Sequence, residues 1–197
     1  MGATLSRLRS LGYVTESYVA STVDELMHAL GRAYRVPVEL RVSRRLVPLL
    51  VSSVKASDLL IFVEGVSDDE VSVALASVTA LLSFDEQVAA RSAKVLADPV
   101  AVHRLLSVAV PASTGVASSP DDLLLILRRR SGLHLCFFTS DEHSSRAYVL
   151  VVSGRIYAAV YIDAFVYLGV SAVSLLFRRL PLWYVVYELS ELPPETS

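Results

Sequence analysis

Three runs decide the fold: Leu133-His-Leu-Cys-Phe-Phe-Thr139, Arg146-Ala-Tyr-Val-Leu-Val-Val152 and Arg155-Ile-Tyr-Ala-Ala-Val-Tyr-Ile162. Each is short, rich in β-branched and aromatic residues, and bounded by turn formers, the signature of a strand. Ser140–Ser145 joins the first two as a hairpin, and Ser153-Gly154 is a two-residue turn into the third. Working outward, Ser119-Pro120-Asp121-Asp122 is a helix start: a capping serine, proline in the first turn, and carboxylates at the positive end of the dipole. The helix covers Leu123–Arg130, and Gly132 supplies a left-handed stop. On the far side, Ala164–Arg179 reads as a helix ended by Pro181, and Leu182–Leu189 as a closing strand. Residues 120–192 are therefore an α+β module with a mainly antiparallel sheet.

The preceding residues alternate helix and strand signals. Ser21-Thr22-Val23-Asp24-Glu25 opens a helix whose stripe is Leu26, Ala29, Leu30 and Ala33, and Pro37 lies beyond its end. Val36–Val42 alternates like a strand, Ser43–Lys55 suits a short helix with Pro48 in its first turn, and Asp58–Glu64 reads as a buried strand. Ser67-Asp68-Asp69-Glu70 then caps an apolar helix through Phe84. This alternation predicts an α/β region over 1–110 with parallel strands. Asp85–Leu96 reads as a more polar helix, and Asp98-Pro99 starts another. Pro111–Ser119, small and polar, is the expected linker and domain boundary, and 193–197 a frayed tail. Overall the chain is α+β.

Composition narrows the function classes. Hydrophobic residues make up 53% of the 197 and charged residues 19%, enough apolar chain for a substantial core. The net charge of −2 gives no global electrostatic footprint for nucleic acid or anionic lipid. The single Cys136 excludes an internal disulfide and any zinc site of several thiolates, and it lies in an apolar run. Met1–Tyr13 is interrupted by Arg7 and Arg9 and lacks the apolar centre of a secretory signal, so a cytoplasmic location is expected. Ile156–Phe177 is long and apolar enough to suggest a membrane span. Asp163 and the change of pattern around it point instead to two buried elements meeting at Asp163–Ala164, so no membrane span is expected.

The small residues of 120–192 carry a resemblance. Leu123, Leu124 and Leu127 lead into Ser131-Gly132-Leu133 with Leu135; Ser153-Gly154-Arg155-Ile156-Tyr157-Ala158-Ala159 follows, then Gly169-Val170-Ser171-Ala172. This order is similar to the PATAN-type family of prokaryotic effector domains and related uncharacterised archaeal proteins. The chain departs from the family pattern at Ser171, where an acidic residue is common, and at Leu182-Trp183-Tyr184, which replaces a Gly-x-Phe lead. The resemblance implies a non-enzymatic role in partner contacts within signalling or motility systems, and it transfers no catalytic residue. Many such domains accompany receiver domains, but Met1–Val110 has no phosphoacceptor layout.

Few residues invite chemistry. Glu64, Asp68 and Asp69, at the carboxyl end of a strand, form a loop where oxygen ligands could hold Mg²⁺ or where a metal- or small-molecule-dependent enzyme would be centred; the competing role of the aspartates is to cap the next helix. His28, His103, His134 and His143 lack metal spacing, and Ser113 and Thr114 lack the context of an activated nucleophile. Arg128, Arg129, Arg130, Arg178 and Arg179 end two helices and form a candidate basic patch for nucleic acid. Tyr157, Tyr161, Phe165, Tyr167 and Trp183 are the candidate partner surface. Strand alternation puts Tyr157 and Tyr161 on one face, and Trp183 with Tyr187 on one face of another strand. The expected function is a non-catalytic adaptor or regulatory protein that binds another protein or its own copy through the C-terminal module, with no cofactor.

Overall fold

The computed structural model describes residues 8–84, 93–128, 131–140 and 144–191. The chain is α+β, its sheets are largely antiparallel, and it divides into two compact units, Met1–Leu81 and Leu82–Ser197.

The first unit is a four-stranded sheet in the order β1-β2-β4-β3, built from β1 (Glu16–Ala20), β2 (Val38–Ser43), β3 (Leu59–Val66) and β4 (Glu70–Ser77). Only β1 and β2 are parallel. Helix α1 (Val23–Ala33) begins in a capping box: the Thr22 hydroxyl accepts the Glu25 N–H at 3.3 Å, and the Glu25 carboxylate accepts the Thr22 N–H at 3.0 Å. A 3₁₀ turn, Arg44–Leu46, leads into α2 (Val47–Lys55), where Pro48 sits in the first turn. Leu26, Ala29, Leu30 and Ala33 of α1 and Leu50 and Val54 of α2 pack in one cluster with Val38, Leu40, Val42, Leu59, Val73 and Leu75 of the sheet. Arg32 is paired with Glu16: its Nε donates to Oε2 at 2.8 Å, and the Tyr18 hydroxyl donates to the same oxygen at 2.6 Å.

Two expectations for this region are corrected. Residues 67–84 are not a helix: Ser67 closes a turn by donating its N–H to the Glu70 carbonyl at 2.9 Å, and β4 follows, with only α3 (Val78–Leu81) helical. The run Val71-Ser-Val-Ala-Leu75 carries apolar residues at period two, and a place between β2 and β3 satisfies its backbone on both sides. The sheet is therefore mixed rather than parallel: β4 separates β2 from β3 and is antiparallel to both, so the two strands expected to be parallel run the same way without pairing with each other.

The second unit holds a seven-stranded sheet in the order β10-β9-β8-β7-β11-β6: β6 (Val110–Ala117), β7 (Leu133–Thr139), β8 (Arg146–Val152), β9 (Arg155–Ile162), β10 (Val166–Leu168) and β11 (Leu182–Leu189), with the short β5 (Ser83–Phe84) parallel to β9. The three runs that decided the fold are β7, β8 and β9, paired in sequence. Positive φ at Ser153 (48°) and Gly154 (79°) makes their second connection a tight turn of the primed type. Helices α4 (Pro99–Val108), α5 (Pro120–Leu127) and α6 (Gly169–Arg178) complete the unit. Asp98 caps α4 and Ser119 caps α5, each through a side-chain oxygen.

Here too the structure differs from expectation. The segment 111–119 is no linker. Most of it is the edge strand β6, paired with β11, and the chain divides near Leu81 instead. Small, polar residues suit an edge strand. Thr114 donates to the Tyr184 carbonyl at 3.1 Å, and Gly115 leaves room for the Tyr184 ring. The helix expected over 164–179 starts only at Gly169. Asp163 turns the chain first, accepting the Phe165 N–H at 2.9 Å on Oδ1 and donating its own N–H to the Phe165 carbonyl at 3.0 Å, which sets up the β9–β10 hairpin. The expected polar helix over 85–96 lies mostly outside the described residues, as does the tail 193–197; residues 93–97 are helical. Among the described residues, no helix is long and apolar enough to cross a membrane.

Candidate functional site

The register of the larger sheet aligns one row of side chains across six strands. Val166, Ile162, Arg146, Thr139, Trp183 and Val116 are successive partners, and directly paired residues share a face. None of the six is buried: Val166 is 57% exposed, Trp183 49% and Val116 40%. Further along the same face the next row is mixed, with Val160 buried between Leu168 and Tyr148. One row deeper, Ala158, Leu150 and Leu135 are fully buried. There Leu96, Leu105 and Leu106 pack onto the sheet, and Tyr187 and Leu189 join the cluster. This face is closed in its middle and open along one end.

The opposite face is closed along the whole of β7 and β8. His134, Cys136 and Phe138 of β7 and Ala147, Val149 and Val151 of β8 are all buried. Helix α6 packs on β8 and β9 and contributes buried Ala172, Val173, Leu176 and Phe177.

These faces separate the five aromatic candidates. The register slips beside Leu150, so Tyr157 is an extra residue between Ile156, opposite Val151, and Ala158, opposite Leu150. The bulge breaks the alternation. Tyr157 packs in the cluster of the half-open face, while Tyr161 lies on the closed face, 2% exposed, with its ring 6.3 Å from Tyr167. The two therefore do not share a face, and Tyr161 is core rather than surface. Phe165 stands at the hairpin tip, 69% exposed, its ring 6.4 Å from that of half-buried Tyr167. Trp183 lies at the same end of the sheet, four strands away, about 19 Å at the usual strand spacing. Trp183 and Tyr187 do share a face of β11, with Val185 between them. Val166 and Val116, which complete the open row, are not among the sequence candidates: one falls in the expected helix 164–179 and the other in the expected linker 111–119, and only the register brings them together.

The other candidates are scattered. Arg178 and Arg179 are exposed at the end of α6, where cations complement the dipole, and Arg128 is half-buried at the end of α5. Arg129, Arg130 and His143 lie outside the described residues. Of the first unit's arginines, Arg44 donates to the Ser67 carbonyl at 3.1 Å and Arg45 to the Ser21 carbonyl at 2.5 Å, so both fasten loops. Asp68 and Asp69 cap no helix. They are exposed at the β3–β4 turn, and Glu64 is the bulge residue of β3 beside Gly65. Among the described residues, no three His, Cys, Asp or Glu side chains are grouped to hold a metal ion.

The open row has a cavity behind it. Ile162, Arg146 and Tyr148 form one wall, and Leu96, Ala97, Pro99, Val102, His103 and Leu106 the other, around a space of about 190 Å³. Burial pushes the Tyr148 hydroxyl pKa up, the Arg146 cation opposes this, and Tyr187 adds to the rise. Arg146 and Tyr148 thus line the same space, with the Arg146 charge felt at the phenol. No family model, curated protein or solved structure matches the chain.

Proposed function

We propose that this is a cytoplasmic, non-catalytic adaptor or regulatory protein that binds another protein chain, or a second copy of itself, through the open end of its larger sheet. The observation that carries this reading is the row Val166, Ile162, Arg146, Thr139, Trp183 and Val116, in which Val166, Arg146, Trp183 and Val116 are exposed and the other two half-buried, continued at the hairpin tip by Phe165. Exposed aromatic side chains with an arginine among them, on a rigid sheet, have the composition of binding hot spots. The likeness of element order to PATAN-type effector domains points the same way.

The test is to purify the tagged protein from its native cells after nuclease treatment and size its complexes by light scattering, beside the double variant Phe165→Asp, Trp183→Ser. The expected result is a protein partner or a self-complex that the double variant loses by about 30-fold or more in affinity, with an unchanged melting curve. A complex that survives the double variant, or a preparation that held only nucleic acid, would overturn the reading.

A further inference from the structure

We infer that the cavity between the N-terminal half of α4 and the end of β8 is a binding site for a small apolar carboxylate, recognised by the Arg146 guanidinium and the Tyr148 hydroxyl. The argument starts from the alternation of β8. Arg146, Tyr148 and Leu150 share the face on which α4 packs, so a permanent cation stands at the end of an otherwise apolar row. Among the described residues, Arg146 is in no ion pair. A guanidinium offers a planar fork of donors matched to a carboxylate, and the adjacent phenol adds another.

Most of the other side chains lining the space are apolar. Leu96, Ala97, Pro99, Val102, Leu106 and Ile162 line it, and His103 is the remaining polar side chain. The carboxylate nearest in sequence to the α4 wall, Asp98, is turned to its own helix, accepting the Val100 N–H at 3.0 Å. A volume of about 190 Å³ holds one aromatic ring or a short alkyl chain: an apolar cavity of about 150 Å³ already takes up benzene. An apolar body with a single carboxylate satisfies both halves of the site; a phosphate or a bare acetate leaves the apolar half unfilled.

This site shares Arg146 and Ile162 with the proposed partner row, and small probes on the protein without a partner test it separately from that reading. Benzoate is titrated by calorimetry and by chemical-shift perturbation, with benzamide as its neutral isostere and acetate as the carboxylate without a body. We expect saturable benzoate binding, with a Kd on the order of 1 mM for so small a ligand, shifting resonances of Tyr148, Val102 and Ile162. Benzamide and acetate should bind at least about tenfold more weakly, and Arg146→Met, which keeps the aliphatic stem, should weaken benzoate by about ten- to a hundredfold. Val102→Trp, which fills the space, should abolish binding with the fold retained. Failure to saturate, equal binding of benzoate and benzamide, or benzoate binding unchanged in Arg146→Met or Val102→Trp would overturn the assignment.

Discussion

The two faces of β7, β8 and β9 are made of the same kinds of residue and end in different states. On one face Cys136, Phe138, Val149, Val151, Ala159 and Tyr161 are all buried. On the other, Leu135, Leu150 and Ala158 are buried, but the row from Val166 to Val116 stands open. Within these strands the open row is marked by Arg146 and Thr139, and the residues beyond them are as apolar as those of the closed face. What differs further is the cover: α4 and the helical residues 93–97 close the middle of their face and meet Ile162 and Arg146 only across a cleft, while Val166, Trp183 and Val116 stay exposed. An apolar strand residue thus announces that it can be buried, not that it is.

The sharpest break in this comparison comes from paired truncations. Phe138→Ala on the closed face should cost about 3–5 kcal/mol in urea unfolding, through lost transfer energy and the cavity left behind. Phe165→Ser at the hairpin tip should stay within about 0.5 kcal/mol. Comparable costs for the two would make the tip part of the core and remove the partner surface. A smaller effect probes the edge next to the open row. A Cβ at Gly115 would stand 3.1 Å from the Tyr184 hydroxyl oxygen, and the ring carbons are hardly farther. Gly115→Val should therefore cost about 1–3 kcal/mol by thermal or chemical denaturation. A neutral result would show that β6 can shift away from β11, and with it Val116 in the open row.

The smallest expected effect lies in the first unit, which serves as the control. The Arg32 guanidinium, helped by the Tyr18 hydroxyl, holds the Glu16 carboxyl down to about 2, from a usual 4.5. Its folded-state pKa is depressed, so its contribution to stability is present above the unfolded value and is lost as the pH falls from about 4.5 toward 2. Because the pair is only partly buried and open to solvent, the contribution is small and screened by salt. Glu16→Gln should lower the melting temperature slightly at pH 7 and in low salt, with the difference vanishing toward pH 2. A pH-independent difference would mean that packing, not the ion pair, sets the effect. Benzoate binding in the second unit should be indifferent to this substitution.

Much of the module 120–192 was legible. Ser119 and Asp122 do form a cap, Gly132 takes φ +83°, and Ser153-Gly154 is a tight turn, because each depends on chemistry within a few residues. The failures share a cause. A helix is expected over Val71–Leu75 because a short apolar run fits either period, and its choice depends on two partner strands. Pro111–Ser119 reads as a linker because small polar residues mark both linkers and edge strands, and only β11 tells them apart. The expected shared face of Tyr157 and Tyr161 fails because a single bulge, invisible in the residue types, shifts the alternation. Of the candidate site, Phe165 and Trp183 were visible as aromatics in an apolar context, whereas Val166 and Val116 were not, and Tyr161 was included in error.

By itself the sequence determined the α+β class, the caps of α1, α4 and α5, the tight Ser153-Gly154 turn and the apolar content of the strands. These follow from local backbone preference, hydrogen bonding within a turn and the burial of apolar area, all written in residues a few positions apart. The tertiary structure alone decided which strands pair, where the chain divides, and which apolar residues remain uncovered. Those outcomes rest on register and on the reach of covering helices, set by contacts between residues distant in the chain, and no local pattern encodes them.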